Sequence, residues 1–214
     1  MSEVIDFKKI NKELYQSKTV PSLVNVPELI LVTVAGKGNP NEKGGAYQKA
    51  LEILYSIQYT IKMSKKGSFS LSGYFDYVVP PLEGLWWFDD NKTTPPAEKS
   101  LFNWTSLIRL PDFVDEAVFK WACDEVIKKK NIAVDKAYLF RFTEGLCVQC
   151  MHIGSFDDEL KTLRLIDEFF ISNNLENDIN NNRKHHEIYL LDPRKTEPEK
   201  LRTILRIPVK PKGT

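Results

Sequence analysis

The hexapeptide T-I-L-R-I-P at residues 203–208 repeats an earlier one, S-L-I-R-L-P at residues 106–111. Each hexapeptide ends the same series of features: a strand, a glycine, an aromatic residue, a helix and a strand that carries a glutamate. The matching landmarks are Gly36, Tyr47, Glu83 and Arg109 in the first half, and Gly154, Phe156, Glu187 and Arg206 in the second. Self-similarity of this kind indicates a duplicated structural unit.

The repeat predicts an α+β fold built from two strand-helix-strand-strand modules with pseudo-twofold symmetry. We assign residues 1–214 to a single domain, with one module at about 28–111 and the other at about 137–210. We expect antiparallel sheets with helices on one face and a ligand groove on the other, because grooves between repeated units are common binding sites.

Apolar periodicity places a helix at residues 47–63, a second after Pro111 and a third at 157–172. A short amphipathic helix is expected within residues 1–19, and residues 20–27 are expected to be a connector. Glu144 and Gly145 separate two strand-like runs, so we predict a hairpin with its tight turn at these two residues.

The stretch H-H-E-I-Y-L-L-D-P-R-K-T at residues 185–196 contains a glutamate within a strand-like run. Side chains alternate along a strand. The two faces are therefore His185, Glu187 and Tyr189 on one side, and His186, Ile188 and Leu190 on the other. A carboxylate is costly to bury without a partner. Glu187 accordingly lies either on a solvated outer face or on the floor of a ligand groove.

A second stretch, P-L-E-G-L-W-W at residues 81–87, places two tryptophans beside a carboxylate. We predict a groove lined by six residues: Tyr55, Glu83, Trp86, Trp87, Glu187 and Tyr189. For Glu83, pairing with Arg109 is the alternative. Alternation sends one of the two tryptophans to the core side. A desolvated carboxylate attracts a cation by about 4 kcal/mol at 4 Å for an effective dielectric near 20. An aromatic ring adds roughly 0.5–2 kcal/mol, so the pattern favours planar aromatic or cationic ligands.

Composition excludes several classes of protein. The net charge is +1, which gives no long-range attraction to nucleic acid or anionic lipid. No apolar run is long enough to span a membrane. Three cysteines are an odd number, which argues against a disulfide framework and fits a cytoplasmic protein. We expect no direct nucleic-acid partner, no membrane and no cofactor; the choice between monomer and dimer is open.

Cys147 and Cys150 form a C-x-x-C motif inside a strand-like run. Alternation points these two side chains to opposite faces, and no second cysteine pair completes a zinc site. We therefore predict no metal ion and no disulfide.

Four motifs together resemble the GyrI-like small-molecule-binding family, in its stand-alone branch. They are V-A-G-K-G-N-P-N at 34–41, A-L-E-I-L-Y at 50–55, P-L-E-G-L-W-W at 81–87 and H-E-I-Y-L-L-D-P-R-K-T-E-P-E-K-L-R-T at 186–203. The resemblance implies the duplicated fold, which is also that of effector-binding domains in multidrug-responsive transcription activators. It also implies that an acidic residue at the position of Glu187 contacts cationic, aromatic ligands.

The same resemblance implies more than one function. Some stand-alone members hydrolyse cyclopropane-bearing, DNA-alkylating natural products in an aromatic cage, whereas others bind DNA gyrase or sequester compounds. Our first hypothesis is a xenobiotic-binding protein that protects the cell, and the sequence leaves open whether it only binds such compounds or also hydrolyses them. In the hydrolytic case Glu187 and Tyr189 are the catalytic residues. No Ser-His-Asp arrangement is evident, so a covalent intermediate is not expected. The alternative is a protein-interaction module that inhibits a topoisomerase; it predicts exposed patches instead of a deep groove.

Overall fold

The computed structural model describes residues 4–66, 71–88 and 98–213. The described residues fall into two compact units. The first unit draws on Met1–Ile10, Leu29–Pro80 and Trp87–Phe142, and the second on Asn11–Glu28, Pro81–Trp86 and Thr143–Thr214. No helix among the described residues is long and apolar enough to cross a membrane.

The described residues form five α-helices and seven strands. The helices are α1 Phe7–Ile10, α2 Lys12–Tyr15, α3 Ala46–Met63, α4 Glu116–Lys130 and α5 Leu160–Ser172. The strands are β1 Ser22–Lys37, β2 Leu82–Trp87, β3 Asn103–Arg109, β4 Ala137–Ile153, β5 Leu175–Asn177, β6 His185–Tyr189 and β7 Arg202–Pro211. Short 3-10 helices cover Ser64–Lys66, Lys99–Leu101, Phe156–Asp158 and Pro198–Lys200.

The first unit is built on an antiparallel pair of strands, in which Leu31–Lys37 of β1 lie opposite Asn103–Arg109 of β3. Helix α3 packs on β3 and on α4. Its apolar stripe is buried, with Leu54, Ile57 and Ile61 fully inaccessible. Helix α4 begins at Asp115, whose side chain accepts a hydrogen bond from the backbone N–H of Val118.

The second unit is centred on β7, which pairs antiparallel with β4 and with β6. Strand β6 also pairs antiparallel with β2. Helix α5 covers this sheet with an apolar cluster that includes Val148, Cys150, Ile166, Phe170 and Leu205. The sheet therefore has one face under α5 and one face that is turned away from it.

The two repeats share the same register. In the first, Val34 lies opposite Ser106 and Leu31 opposite Arg109. In the second, His152 lies opposite Thr203 and Gln149 opposite Arg206. The two hexapeptides thus occupy equivalent positions in the last strand of each β-α-β-β series. The predicted α+β fold with duplicated strand-helix-strand-strand modules and antiparallel sheets is confirmed, while the exact module bounds stay a prediction.

The predicted hairpin at Glu144 and Gly145 is wrong, because β4 runs without interruption from Ala137 to Ile153. Gly145 has a positive φ of 73°, which is a turn-like conformation inside a continuous strand. The Glu144 side chain is buried, with 2% exposed, and its partners hold it inside the unit. A tight turn would leave Glu144 in water, whereas its burial places it inside the sheet, and the expectation of a turn fails for that reason.

The N-terminal region also differs from expectation. Residues 20–27 are not only a connector, because β1 begins at Ser22 and buries Val24 and Val26 by alternation. The expected single amphipathic helix is split into α1 and α2, which together bury Phe7, Leu14 and Tyr15.

A close approach at Gly36 generates a stability prediction. A Cβ atom added at Gly36 would lie 2.4 Å from Cη2 of Trp104, whose side chain is 1% exposed. Because this ring cannot move without disturbing the core, Gly36→Ala should lower the free energy of unfolding by about 1–3 kcal/mol. Urea denaturation would measure the loss.

The control is a double-mutant cycle with Trp104→Phe, which removes the ring atoms nearest to the added Cβ. Gly36→Ala should cost less in that background, with a coupling of about 0.5 kcal/mol or more. Equal costs in the two backgrounds would show that the contact with Trp104 is not the cause.

Candidate functional site

Strand β6 has the two faces that its sequence predicts. His186 and Ile188 are buried, whereas His185, Glu187 and Tyr189 are half-buried. The register with β2 places Gly84 opposite Glu187. Directly opposed residues of an antiparallel pair project to the same face. The half-buried face of β6 therefore continues onto β2 through Gly84.

A chain of hydrogen bonds joins the polar groups on this face. Nε1 of Trp86 donates to the Tyr189 hydroxyl over 2.9 Å, and that hydroxyl donates to Oε2 of Glu187 over 2.8 Å. Nε2 of His185 lies 3.2 Å from the other oxygen, Oε1. We call these four residues the Glu187 cluster. Each hydrogen bond fixes the orientation of the next side chain, so the carboxylate is held in one position.

Gly84 leaves the space that this chain requires. A Cβ atom there would lie 2.7 Å from Nε1 of Trp86 and 3.0 Å from the Tyr189 hydroxyl. Any side chain at this position would separate the indole from the phenol. The glycine between Glu83 and Leu85 is therefore part of the site, although it contributes no polar atom of its own.

The cluster lies beside the N-terminal end of α5. Glu187 is opposite Leu205, and Leu205 is opposite Cys150 on the other side of β7. Leu205 and Cys150 both belong to the apolar cluster under α5. Glu187 thus lies on the helix-bearing face of the second unit, whereas the sequence placed the groove on the face without helices.

Two residues before α5 complete this face. The ring of Phe156 meets that of Tyr189 edge-on, with centroids 5.7 Å apart. Glu159 reaches the cluster, where its carboxylate, the His185 ring nitrogen and the Glu187 carboxylate have atoms within 4.8 Å of one another. Burial raises the pKa of Glu159 well above its usual range, and the negative charges of Glu187 and Asp157 raise it further.

The opposite face of β6 carries a buried ionic network. His186 lies between two carboxylates, with Nδ1 3.0 Å from Oε2 of Glu144 and Nε2 2.9 Å from Oε2 of Glu83. All three residues are at most 2% exposed. Since both ring nitrogens face carboxylate acceptors, both must carry a proton, and the ring is an imidazolium.

The pKa values agree with that assignment. Burial alone lowers the pKa of His186, but the charge and hydrogen bond of Glu144, followed by those of Glu83, outweigh burial and raise it to about 9. For Glu144, burial opposes ionisation, while His186 and Arg206 outweigh it and lower its pKa to about 2.

Arg206 connects this network to the N-terminal segment. Nη1 donates to Oε2 of Glu144 over 3.2 Å, and Nη2 donates to the backbone oxygen of Leu14 over 2.8 Å. Gln149 accepts from Nε of Arg206 over 3.2 Å and donates to the backbone oxygen of Glu13 over 2.7 Å. Two buried cations thus balance two buried carboxylates, which makes the group net neutral. Removing one member of such a group typically costs about 3–5 kcal/mol.

The structure corrects the assignment of Glu83 to the groove. Glu83 lies opposite Ile188, one residue away from the Gly84–Glu187 pair, and a shift of one residue reverses the face. It accepts hydrogen bonds from the Tyr15 hydroxyl over 3.3 Å and from His186. Glu83 is therefore a buried partner of His186 and not a neighbour of Glu187 on the half-buried face.

The other predicted residues divide between the two units. Trp86 belongs to the Glu187 cluster in the second unit. Tyr55 lies on α3 in the first unit, stacked on Tyr59 with ring centroids 6.4 Å apart. Trp87 ends β2 and is half-buried, also in the first unit. That Tyr55 and Trp87 line the same groove as Glu187 stays a prediction.

The sequence analysis did not assign a role to four residues that interact in or beside β6: His185, His186, Glu144 and Glu159. The two histidines stand in the stretch at residues 185–196, where alternation assigns one of them to each face of the strand. Glu144 continues the period-two alternation of Phe142 through the supposed turn, which was the available signal. Glu159 carries no signal, because its approach to β6 depends on how α5 begins.

The cysteines take no part in this site. All three are free thiols, and Cys147 and Cys150 are buried. Burial raises the pKa of Cys147 to about 12 and that of Cys150 to about 11. Thiols of this kind are almost fully protonated near neutral pH and are poor nucleophiles.

A family model for the GyrI-like small molecule binding domain matches residues 19–210. The chain belongs to this family. Membership in this family supports the binding of a small molecule. The half-buried polar and aromatic groups around Glu187 agree with such a ligand. No curated protein sequence matched the chain.

Three crystal structures of proteins from Listeria innocua resemble this GyrI-like chain over nearly its whole length. Two are described as hydrolases. One is 48% identical with a TM-score of 0.88 and covers 96% of this chain and 100% of its own. The other is 47% identical with a TM-score of 0.90, covering 97% and 100%. The third, an uncharacterized conserved protein, is 48% identical with a TM-score of 0.91 and covers 96% and 100%.

A more distant structure shares only the fold. The C-terminal domain of EcmrR is 11% identical, with a TM-score of 0.54, and the match covers 89% of this chain and 97% of that domain.

The pKa of His186 predicts how stability depends on pH. Its value in the folded protein, about 9, is above the 6.5 of an unperturbed histidine, so its contribution is complete below pH 6.5 and is lost as pH rises through 9. We expect the free energy of unfolding to fall by on the order of 3 kcal/mol across this window. Urea denaturation at closely spaced pH values would measure it.

His186→Gln provides the comparison, because it removes the titrating group and keeps hydrogen-bonding capacity. The variant should be less stable than the wild type at pH 6.5, and the difference should shrink towards pH 9. Two stability curves that stay parallel over this range would contradict the assignment of an imidazolium at His186.

Proposed function

We propose that this protein binds planar aromatic or cationic xenobiotics at the Glu187 cluster and hydrolyses cyclopropane-bearing, DNA-alkylating compounds, which protects the cell. The observation that carries the proposal is the hydrogen-bonded chain from Trp86 through Tyr189 to Glu187 on a half-buried face. Membership of the GyrI-like family and nearly half identity to two Listeria innocua proteins described as hydrolases support it.

Binding follows from the chemistry of this face. The Glu187 carboxylate is partly removed from water, so its attraction for a cation is stronger than on an open surface. The rings of Trp86 and Tyr189, with Phe156 beside them, provide apolar and π surfaces for a flat ligand. Stacking tolerates many ligand shapes, as a xenobiotic binder requires.

Hydrolysis requires a base and a proton donor. In the proposed reaction Glu187 removes a proton from water, and the water oxygen bonds to a carbon of the cyclopropane. The strained carbon–carbon bond breaks, and its electron pair passes to the conjugated carbonyl. Tyr189 gives its proton to that carbonyl oxygen and regains one from Glu187, because the two groups share a 2.8 Å hydrogen bond. The proton removed from water is thus returned through Tyr189, and no covalent enzyme intermediate forms.

The first prediction tests the charge of Glu187. Glu187→Gln keeps the shape of the side chain and removes its charge, so a planar cationic dye should bind about 10- to 100-fold more weakly, equivalent to roughly 1–3 kcal/mol. A neutral planar dye should lose much less. Quenching of tryptophan fluorescence would report both affinities, because Trp86 lies within the cluster.

Glu168→Gln is the matched control, since it removes the same charge from an exposed position on α5. It should leave both affinities unchanged. Equal losses for the cationic and neutral dyes in Glu187→Gln would show that charge is not what Glu187 contributes. If the wild type binds neither dye, the proposal of a ligand-binding groove at Glu187 is wrong.

The second prediction separates catalysis from binding. With an activated cyclopropyl ketone as substrate, Glu187→Gln should lower kcat at least 100-fold, because general bases typically contribute about 10²- to 10⁴-fold. Tyr189→Phe should also lower kcat, since it removes the proton donor while keeping the ring. Chromatography of the ring-opened product would measure turnover, and unchanged turnover in Glu187→Gln would exclude it from the mechanism.

A further inference from the structure

Three potential metal ligands converge at the start of α5. Glu159, His185 and Glu187 each offer one ligand atom, and these atoms lie within 4.8 Å of one another. His185 and Glu187 come from the same face of β6, whereas Glu159 comes from the residue immediately before α5. The set therefore brings together two elements that are far apart in the sequence.

The Glu159 side chain has one unsatisfied carboxylate oxygen. Its Oε1 atom is buried and has no hydrogen-bond partner in the structure. Buried carboxylate oxygens are normally satisfied by donors, because leaving them unpaired costs free energy. The Glu159 carboxylate has an oxygen within 4.8 Å of a carboxylate oxygen of Glu187, and the negative charge of Glu187 adds repulsion to the cost of burial. A bound cation between the two carboxylates would satisfy both.

We propose that Glu159, His185 and Glu187 bind a divalent transition-metal ion and that this site prefers Zn²⁺. One imidazole nitrogen and two carboxylate oxygens are ligands that Zn²⁺ accepts. Three protein ligands leave a fourth position of a tetrahedral ion for water or another small ligand. The site therefore has the composition of an open metal centre and not that of a closed structural one.

The observed spacing suits this ion. Ligand atoms about 2.0–2.1 Å from a tetrahedral ion are separated from one another by roughly 3.3 Å. Nε2 of His185 and Oε1 of Glu187 are 3.2 Å apart. These two atoms would need almost no movement to share an ion, and only Glu159 would have to approach.

The surroundings hold the ligands in place. Oε2 of Glu187 accepts from the Tyr189 hydroxyl, which in turn accepts from Trp86. Ligating carboxylates in metalloproteins are usually oriented by such outer hydrogen bonds. The metal site can be tested independently of the proposed hydrolysis, because metal binding is measured in the absence of substrate.

The test uses the full chain, stripped of metal and titrated with Zn²⁺ or Co²⁺ by calorimetry. The wild type should bind one equivalent. Glu159→Gln and His185→Gln should each weaken binding at least tenfold. Asp157→Asn removes the same charge two residues from Glu159 but no ligand atom, so it should weaken binding far less than either ligand variant. The Co²⁺ complex should show visible absorption of a tetrahedral centre, which both ligand variants should lose.

Circular dichroism on each variant establishes that it is folded before titration. Absence of a saturable one-to-one site in the wild type would overturn the proposal. So would an equal loss of affinity in Asp157→Asn, which would mean that diffuse negative charge attracts the ion. Dye binding by Glu187→Gln is scored separately, so failure of the metal site and failure of the proposed function are distinguishable.

Discussion

The imidazolium of His186 lies between the buried carboxylates of Glu83 and Glu144, and Arg206 supplies the second positive charge. Each of these groups would be very costly to bury alone. Together they are neutral and hydrogen-bonded, and they tie β2, β4, β6 and β7 to the N-terminal segment. A shift of β6 by one residue would place Glu187 in this network and expose His186. The network therefore fixes the register of the strand.

Because β6 has two faces, the same register also positions the candidate site. His186 projects to the buried network, and its neighbours His185 and Glu187 project to the half-buried cluster. The geometry of the cluster also depends on the space and the hydrogen bonds that neighbouring residues provide. Gly84 leaves room for the bond between Trp86 and Tyr189, and that bond holds the hydroxyl against Glu187. Preorganised polar groups of this kind are what binding and proton transfer require.

Stability and function consequently place different demands on one short strand. The network is strongest between the pKa of Glu144 and that of His186, and it weakens outside that range. The Glu187 cluster is only half-buried, and the carboxylate of Glu159 lies close to that of Glu187, so the repulsion between the two disfavours the empty site. An arrangement that is costly in itself is typical of functional sites, where a ligand compensates the cost.

The sequence by itself determined the duplicated fold, since the hexapeptides 106–111 and 203–208 and the strand alternation at 185–189 depend only on local periodicity. It also predicted that Glu187 and Tyr189 share a face with one of Trp86 and Trp87, and the structure joins Trp86 to these two residues by hydrogen bonds. Only the tertiary structure decided that Glu83 lies on the opposite face, that Glu144 continues a strand, and that Glu159 joins the cluster. These placements depend on how β2 and α5 align with β6, and pairing register and the path of a helix result from long-range packing that no single segment encodes.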